Sequence, residues 1–224
     1  MKALVVAVDG PAGAGKSTVS RGLARALGFG YVDTGAMYRV VGVLARERGL
    51  DLDNAQELSS LCAQLDIIFE DRADGVHTFA DGRDLTNAIR SADAGQWASQ
   101  VSVVPAVRER LVAMQRALGA KGRVVMEGRD IGTVVFPDAP VKVFLTATAE
   151  ERARRRCAEL ASRGVFLDQA AVAREIAERD ARDQGRAHSP LRPAADAVVI
   201  DTTQRTVDEV IAELRALVVA VEKP

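Results

Sequence analysis

The chain has 224 residues, a length that suits one domain of ordinary size or one domain that carries an inserted lobe. Its 48% hydrophobic and 27% charged residues are typical of soluble globular proteins. Its 30 basic and 31 acidic side chains give a net charge of −1, which argues against a non-specific binder of nucleic acid, because such proteins carry a strongly basic face. No stretch approaches the roughly 18 apolar residues of a membrane span, and two cysteines are too few for a disulfide framework. We therefore expect a soluble, cytoplasmic protein that binds neither nucleic acid nor membranes.

Short apolar runs alternate with helical patterns along the chain. The first run, Ala3–Val8, is short for a helix and is typical of a strand buried on both faces. Similar runs occur at residues 31–32, 124–126, 141–145 and 197–200. Helical spacing follows the first run and precedes the run at Val124, and Thr206–Glu209 is a capping box that predicts the start of a final helix. This alternation predicts an α/β fold of three layers, with a central parallel five-stranded sheet between helices.

One region, at about residues 60–95, departs from this alternation. Two short apolar runs, Ile67–Phe69 and Val76–Phe79, flank a polar tract, which predicts a β-hairpin. Asp81-Gly82 can supply another turn, and we read Gly82-Arg83-Asp84 as a turn as well. The region is therefore expected to form a small inserted lobe with its own strands. Helices rich in arginine and alanine are predicted at 150–161 and 168–182.

The most informative motif is Gly-Pro-Ala-Gly-Ala-Gly-Lys-Ser at Gly10–Ser17, which fits G-x-x-x-x-G-K-[S/T] between a predicted strand and a predicted helix. In that setting, backbone N–H groups and the helix N-terminus face phosphates, Lys16 reaches the β- and γ-phosphates, and the Ser17 hydroxyl can ligate Mg²⁺. An accidental match is expected in about one such chain in a hundred. We therefore predict a nucleoside triphosphate site. Its binding residues are Gly10, Pro11, Ala12, Gly13, Ala14, Gly15, Lys16, Ser17 and Thr18.

The remaining arginines point to an anionic second substrate. The chain has no guanine-reading N-K-x-D motif and is short for a mechanical ATPase, so a small-molecule kinase fits best. Asp33–Arg39 and Gly128–Asp130 both follow predicted strands, and the carboxyl ends of parallel strands share one sheet edge, where ligands bind. Taken alone, Asp33-Thr34-Gly35 could be a helix N-cap, and the arginine-rich stretch 174–186 could be a solvated helix face. Because these segments are expected to converge at one edge of the sheet, a binding site for an anionic substrate is favoured over these separate structural explanations.

These motifs together resemble the bacterial cytidylate kinases, the CMP/dCMP kinases of the nucleoside monophosphate kinase superfamily of P-loop proteins. The likeness spans nearly the whole chain, and its most specific part is the run Gly-Arg-Asp-Ile-Gly-Thr-Val-Val-Phe-Pro. The segments that carry it are Asp9–Thr18, Asp33–Arg39, Ala98–Val101 with Pro105 and Arg108, Glu127–Asp138, Glu178–Asp183 with Arg186, and Pro193–Asp196.

The resemblance implies a monomeric enzyme of pyrimidine nucleotide metabolism that transfers the γ-phosphoryl group of ATP, with Mg²⁺, to CMP and dCMP. It also implies one P-loop kinase domain over residues 1–224. The expected parts are a core (1–59, 96–147 and 187–224), a monophosphate-binding insert (about 60–95) and a helical lid (about 148–186).

The resemblance also implies roles for single residues. The expected substrate-binding residues are Thr34, Tyr38, Arg39, Ser99, Arg108, Arg129, Asp130, Arg179, Asp183 and Arg186. Among them, Arg39, Arg129 and Arg186 would hold phosphate groups. Ser99, Arg108 and Asp130 would read the cytosine edge, and Arg179 and Asp183 would contact the ribose and the lid-side phosphates. The run Arg154 to Arg156 would lie in the lid, where arginine commonly covers the ATP, and Arg154 and Arg156 are the expected ATP-binding residues of this run. The expected catalytic residues are Lys16, Arg129, Arg179 and Arg186.

Two other functions stay open at this point. One is a kinase of another small anion, such as UMP, shikimate or gluconate, which base preference would distinguish. The other is a regulator or nucleic-acid-binding protein that uses the loop as a switch, against which the near-neutral charge and the low aromatic content count. We expect Trp97, Cys62 and Cys157 to be packing residues.

Overall fold

The computed structural model describes residues 4–72, 75–186 and 189–222. Within these ranges the chain forms eight strands and eight α-helices, together with a 3₁₀ helix at Ala88–Arg90 and a π-helical turn at Ile131–Val135. The strands are Val5–Asp9 (β1), Gly30–Asp33 (β2), Ile67–Arg72 (β3), Gly75–Ala80 (β4), Arg83–Asp84 (β5), Val124–Gly128 (β6), Val141–Thr146 (β7) and Val198–Asp201 (β8). The helices are Lys16–Leu27 (α1), Thr34–Glu47 (α2), Ala55–Ala63 (α3), Ala94–Val101 (α4), Pro105–Ala120 (α5), Ala149–Ala161 (α6), Gln169–Gln184 (α7) and Val207–Glu222 (α8).

The chain divides into two compact units. Unit 1 comprises Met1–Val32 and Arg116–Pro224, and unit 2 comprises Asp33–Gln115. The predicted insert at 60–95 lies within unit 2, which also contains α2 and α4. The division into core, insert and lid stays a prediction, and residues 187 and 188, which would begin its last core segment, lie outside the described residues.

Unit 1 is built on a parallel sheet of five strands in the order β2-β6-β1-β7-β8. The central strand β1 pairs in parallel with β6, where Val5 is opposite Val124, and with β7, where Val6 is opposite Val141. Every residue of β1 and β6 is buried, as expected for strands covered on both faces. The predicted central parallel sheet is confirmed, although Ala3 of the first apolar run lies outside the described residues.

Two helices pack together against this sheet. Leu23 of α1 and Leu214 of α8 belong to one buried cluster with Val8 of β1 and Leu145 of β7. The predicted capping box before α8 is confirmed, because the backbone N–H of Thr206 donates to Glu209 Oε2 at 2.8 Å and the Glu209 N–H donates to Thr206 Oγ1 at 3.3 Å. The helices α6 and α7 pair through a separate small core, which contains Ala153, Leu160, Val172 and Ile176, with Cys157 packed against it.

Unit 2 contains the predicted hairpin. Strands β3 and β4 are antiparallel, with Ile67 opposite Ala80, and residues 73 and 74 of the predicted polar tract lie outside the described residues. The interpretation of Gly82-Arg83-Asp84 as a turn is wrong, because Arg83 and Asp84 form β5 against Ala80 and Phe79. The turn predicted at Asp81-Gly82 is confirmed, and these two residues have φ of 50° and 77°, as in the two-residue turns that connect twisted hairpins.

The core of unit 2 lies between its helices. Gly42 of α2 approaches Trp97 of α4 so closely that a Cβ at Gly42 would lie 2.7 Å from the Trp97 Cβ. Trp97 packs against a buried cluster that includes Cys62, so both are packing residues as expected.

No helix within the described ranges is long and apolar enough to cross a membrane.

Candidate active site

The loop between β1 and α1 has the backbone of a phosphate-binding turn. Gly10, Gly13 and Gly15 have φ of 146°, 76° and 86°, a region that favours glycine. Gly10 also lies against β7, where an added Cβ would be 2.1 Å from the Leu145 carbonyl oxygen. Gly15 is the N-cap of α1 and, as a glycine, offers no side-chain oxygen to the first N–H groups of the helix. Those N–H groups can donate to a phosphate instead.

Lys16 is buried directly after this loop. Only 7% of the residue is exposed, and its Nζ donates to the Pro11 carbonyl oxygen at 2.7 Å. Burial lowers the pKa of the ammonium, and the positive charge of Arg129 lowers it further, whereas Glu127 and Asp9 oppose this change. An anionic ligand beside Lys16 would favour its charged form.

Asp9, the last residue of β1, holds the segment that follows β6. Its buried carboxylate accepts the N–H groups of Ile131 and Gly132, both at 2.8 Å. Burial raises the pKa of Asp9 to about 6, although these two hydrogen bonds lower it in part. Residues Ile131–Val135 form a single π-helical turn, a form that is frequent at functional sites. Asp9 therefore fixes the start of the turn that follows Arg129 and Asp130.

Three of the predicted residues of unit 1 form one buried cluster. Arg129 Nε lies 2.9 Å from Asp183 Oδ2, and Arg186 pairs with Asp183 Oδ1. Burial raises the pKa of Asp183, but the charges of Arg129, Arg186 and Arg179 outweigh burial and hold that pKa below its usual range. One carboxylate thus gathers guanidinium groups, which are suited to bidentate contacts with phosphate.

The arginine of α6 that bonds to the glycine loop is not one of the two that were predicted to bind ATP. Arg152 donates from Nη1 to the Ala12 carbonyl oxygen at 3.1 Å and to Asp180 Oδ2 at 2.5 Å. Arg154 instead pairs with Glu151, and Arg156 pairs with Glu159. The ATP contact of Arg154 and Arg156 stays a prediction, whereas Arg152 was missed. The sequence feature that could have identified Arg152 is its position in the first turn of α6. The periodicity of a helix places only some of its arginines on any one face.

The loop after β8 also contacts the glycine loop. The buried hydroxyl of Thr202 lies 3.2 Å from the Ala14 carbonyl oxygen and accepts from Arg155 Nη1 at 2.9 Å. Thr202 was not predicted as a site residue, since a lone threonine after a strand has no signal in the sequence, whereas Arg155 lies within the arginine run 154–156 that was expected in the lid. The glycine loop is thus held by side chains from two later parts of unit 1.

In unit 2, the motif after β2 forms the helix N-cap that was considered for it, and its role in a phosphate site stays a prediction. Asp33 caps α2, because its Oδ1 accepts the N–H of Ala36 at 3.1 Å, and its Oδ2 lies 2.6 Å from Arg39 Nη2. Thr34 is buried in the first turn of α2. The N-cap therefore also orients the arginine that was expected to hold a phosphate.

The other predicted residues of unit 2 are buried polar groups. Arg108 of α5 is 6% exposed, and its Nη1 donates to the Tyr38 hydroxyl at 3.4 Å. Ser99 of α4 is 2% exposed. Asp130, which was expected to read the base with them, lies in unit 1 and is 5% exposed. Buried donors and acceptors of this kind discriminate strongly between ligands that satisfy them and ligands that do not.

The residues around the glycine loop fit a magnesium ion that arrives with phosphates. Within the described ranges, no three His, Cys, Asp or Glu side chains are grouped as a protein metal cage. The hydroxyl of Ser17 is exposed in the first turn of α1, and both oxygens of Asp9 are engaged by backbone N–H groups. Mg²⁺ is usually held by one or two protein oxygens together with substrate phosphates, which is what this donor set allows.

A glycine loop of this geometry between a buried parallel strand and a helix defines a P-loop protein. A solved structure of an uncharacterized protein from Eubacterium ventriosum has the same fold, with a TM-score of 0.53, 13% identity, and coverage of 98% of this chain and 99% of that one. The family model for cytidylate kinase matches residues 6–220. The chain therefore belongs to the cytidylate kinase family, and it is a nucleoside monophosphate kinase.

Similar proteins cover almost the whole chain. The cytidylate kinase of Pelotomaculum thermopropionicum is 53% identical over 216 residues, which are 96% of this chain and 96% of the relative. A cytidylate kinase from a Geobacter species is 48% identical over 93% of this chain and 89% of its own length. The predicted resemblance is thus confirmed.

Proposed function

We propose that the protein transfers the γ-phosphoryl group of ATP to CMP and dCMP, giving CDP and dCDP. The observation that carries this proposal is the buried Lys16 in a glycine loop, in the same compact unit as the arginines gathered on Asp183. Phosphoryl transfer requires positioning and charge neutralisation more than acid–base chemistry, and positive groups collected in this way supply both. Membership of the cytidylate kinase family supports CMP as the acceptor.

ATP binds to unit 1 in this proposal. The N–H groups of the glycine loop and of the first turn of α1 donate to the phosphates, and Lys16 contacts the β- and γ-phosphates. The Ser17 hydroxyl would hold Mg²⁺ together with the phosphates, and the ion would neutralise part of the phosphate charge. Arg154 and Arg156 lie on α6, where they would cover the nucleotide after their pairs with Glu151 and Glu159 open.

The acceptor phosphate is held by Thr34, Tyr38 and Arg39 in this proposal. Its oxygen is already largely deprotonated at neutral pH, since the second pKa of a phosphate ester is about 6, so no general base is required. Arg129, Arg179 and Arg186 stabilise the charge on the transferred group. The ribose and the lid-side phosphates are contacted by Arg179 and Asp183.

The base is distinguished by its hydrogen-bonding edge. Cytosine carries an amine, which donates, next to a ring nitrogen, which accepts, whereas uracil presents a carbonyl oxygen and an N–H there. The Asp130 carboxylate can only accept and therefore selects the amine, while Arg108 and Ser99 can donate to the ring nitrogen or the carbonyl. Rejection of the wrong base follows, because it would leave buried polar groups without partners.

The reaction is tested by measuring ADP formation with Mg·ATP and a panel of acceptors: CMP, dCMP, UMP, AMP, GMP, shikimate and none. We expect turnover with CMP and dCMP and little with the others. Lys16→Ala should abolish this turnover while the circular dichroism spectrum is retained. A preference for another acceptor would refute the cytosine assignment, and hydrolysis without an acceptor would favour a switch protein.

The base-reading role of Asp130 has its own test. Asp130→Asn introduces an amide N–H that can donate to the uracil carbonyl, so the CMP-to-UMP ratio of kcat/KM should fall roughly a hundredfold. The KM for ATP should change little. Asp138→Asn is the matched control, because Asp138 is exposed on the same segment. Loss of ATP affinity at an unchanged base preference would contradict the assignment.

We also propose that the enzyme is a cytoplasmic monomer that binds neither nucleic acid nor membranes. The net charge of −1 supports the absence of a nucleic-acid partner, and the two free cysteines, Cys62 and Cys157, agree with a reducing compartment. Light scattering of the purified enzyme, with and without ATP, tests the oligomeric state.

A further inference from the structure

Three carbonyl oxygens of the glycine loop are held by side chains. Lys16 Nζ donates to Pro11 O, Arg152 Nη1 donates to Ala12 O at 3.1 Å, and the Thr202 hydroxyl donates to Ala14 O at 3.2 Å. Arg152 belongs to α6 and Thr202 to the loop after β8, at 140 and 188 residues from their acceptors. The last two contacts come from residues outside the P-loop motif.

Each such contact determines the direction of a backbone donor. The carbonyl of one residue and the N–H of the next share a planar trans peptide unit, in which they point in opposite directions. The contact of Thr202 with Ala14 O therefore directs the Gly15 N–H to the opposite side. The contact of Arg152 with Ala12 O directs the Gly13 N–H in the same way.

Glycines make these contacts necessary. A peptide unit reverses when the torsions on its two sides rotate, and glycine accepts positive and negative φ about equally. Gly13 and Gly15 follow the two held carbonyls, with φ of 76° and 86°. Their own steric preferences thus do not select one orientation, so a neighbouring group must do so.

The hydroxyl of Thr202 is itself oriented. A threonine hydroxyl has one proton, and Thr202 Oγ1 accepts from Arg155 Nη1 at 2.9 Å. The proton of Thr202 is therefore directed away from Arg155 and is shared between the Thr146 carbonyl oxygen, at 3.0 Å, and the Ala14 carbonyl oxygen, at 3.2 Å. Arg155 is held in turn by Glu151, at 2.8 Å from Nε, and by the Thr202 carbonyl, at 2.7 Å from Nη2. Thr202 is 3% exposed, so water does not compete readily for these bonds.

We propose that Thr202 and Arg152 are positioning residues for ATP, which hold the peptide units before Gly15 and Gly13 so that both N–H groups face the phosphates. Arg155 assists by orienting the Thr202 hydroxyl. This rests on the proposed binding of ATP by the loop. Neither residue touches the acceptor in this role, so their removal affects the binding of ATP and not that of CMP.

Thr202→Val tests this role, because it preserves the shape of the side chain and removes its hydroxyl. We expect the KM for ATP and the dissociation constant of a non-hydrolysable ATP analogue to rise about tenfold, as for the loss of one oriented hydrogen bond. The kcat and the KM for CMP should stay within about threefold of the wild type, because Thr202 does not touch the acceptor in this role. Thr202→Ser retains the hydroxyl and should restore the affinity.

Thr203→Val is the matched control. Its hydroxyl bonds to Asp201 and to the Thr148 N–H, not to the glycine loop. The proposal would be overturned if Thr202→Val and Thr203→Val both had a lower melting temperature and both bound the analogue with unchanged affinity. That result is expected when a residue has a purely structural role. If Thr202→Val does not fold, Thr202→Ala replaces it, with the same expected loss of affinity of about tenfold, and an unchanged affinity would refute the proposal.

The analogue separates this proposal from the proposed function. Calorimetric binding of the analogue does not depend on CMP. Wild-type protein that binds it but does not phosphorylate CMP would refute the proposed function alone. Wild-type protein that phosphorylates CMP, together with a Thr202→Val variant that binds the analogue normally, would refute the positioning role alone.

Discussion

Arg129 and Asp183 form a buried ion pair that joins the segment after β6 to α7. Arg129 Nε lies 2.9 Å from Asp183 Oδ2, and the side chain of Asp183 is 1% exposed. The other oxygen of Asp183 pairs with Arg186. Two arginines that are expected to stabilise the transferred phosphoryl group are therefore held by one carboxylate, and we expect the stability of the fold to depend on the same residue.

Asp183→Asn should destabilise the protein and impair catalysis. The variant keeps the shape of the side chain but leaves buried guanidinium groups without their counter-charge, which costs about 3 kcal/mol in the free energy of unfolding. Urea denaturation at pH 7 measures this loss. Glu70→Gln is the control, because the pair of Glu70 with Arg72 is half-exposed at 2.6 Å and such pairs contribute little. Equal losses in both variants would contradict the prediction.

The contribution of Asp183 should disappear in acid. Its pKa in the folded protein is lowered by Arg129, Arg186 and Arg179 against the effect of burial, so the folded state binds a proton less readily than the unfolded state. The stability that it supplies is therefore present above the unfolded pKa of about 4 and is lost as the pH falls through the lower folded pKa. The difference in unfolding free energy between wild type and Asp183→Asn should stay constant from pH 7 to pH 5 and shrink below about pH 4. A difference that grows in acid would refute this assignment.

Gly10→Ala should disrupt the glycine loop far more than Gly28→Ala. At Gly10 the new Cβ would lie 2.1 Å from the backbone oxygen of Leu145, which cannot move without disturbing β7. We expect a loss of more than about 3 kcal/mol and no detectable binding of an ATP analogue. Gly28, at the end of α1, has φ of 66° with no atom within 4 Å of a new Cβ, so its cost is about 1 kcal/mol for the left-handed backbone alone. Thermal unfolding and analogue binding of both variants measure this contrast.

The two tyrosines of the chain should respond differently to loss of their hydroxyls. Tyr31 donates its hydroxyl proton to Glu127, which is 2% exposed, and Arg21 lies over its ring at 5.5 Å from the centroid. Tyr31→Phe keeps the ring contact and removes a donor from a buried carboxylate, which should cost about 1–3 kcal/mol in unfolding free energy. Tyr38→Phe removes a weaker contact at 3.4 Å from Arg108 and should cost less, with its main effect on the KM for CMP. A larger loss of stability in Tyr38→Phe would contradict this order.

The strands were predictable because each is local and strongly patterned. Strands β1 and β6 begin with continuous apolar runs, and β7 is apolar from Val141 to Leu145 except at Lys142, because a parallel strand covered on both faces is built mostly from apolar side chains. The short strand β5 was missed because Arg83 and Asp84 are exposed and have no apolar pattern. It exists because the turn at Asp81 and Gly82 directs the chain back along β4.

The candidate site was predictable only in part. The glycine loop has a fixed spacing of residue types, and Arg129, Asp183 and Arg186, which were expected from the resemblance, do lie together. The arginine of α6 that bonds to a carbonyl of the loop is Arg152, however, which lies outside the expected run Arg154 to Arg156. Four arginines lie within five positions of that helix, and the face that each occupies relative to the loop depends on how α6 docks.

The sequence by itself determined the alternation of strands and helices, the phosphate loop and the family, because these depend on periodicity and on residue types at short fixed spacings. Only the tertiary structure decided which polar atoms meet. Asp9 bonds to the N–H of Ile131 at 122 residues' separation, and Thr202 bonds to Ala14 at 188. Such pairs have no local pattern, because a side chain finds its partner only after the strands and helices have packed and have excluded the water that would otherwise satisfy it.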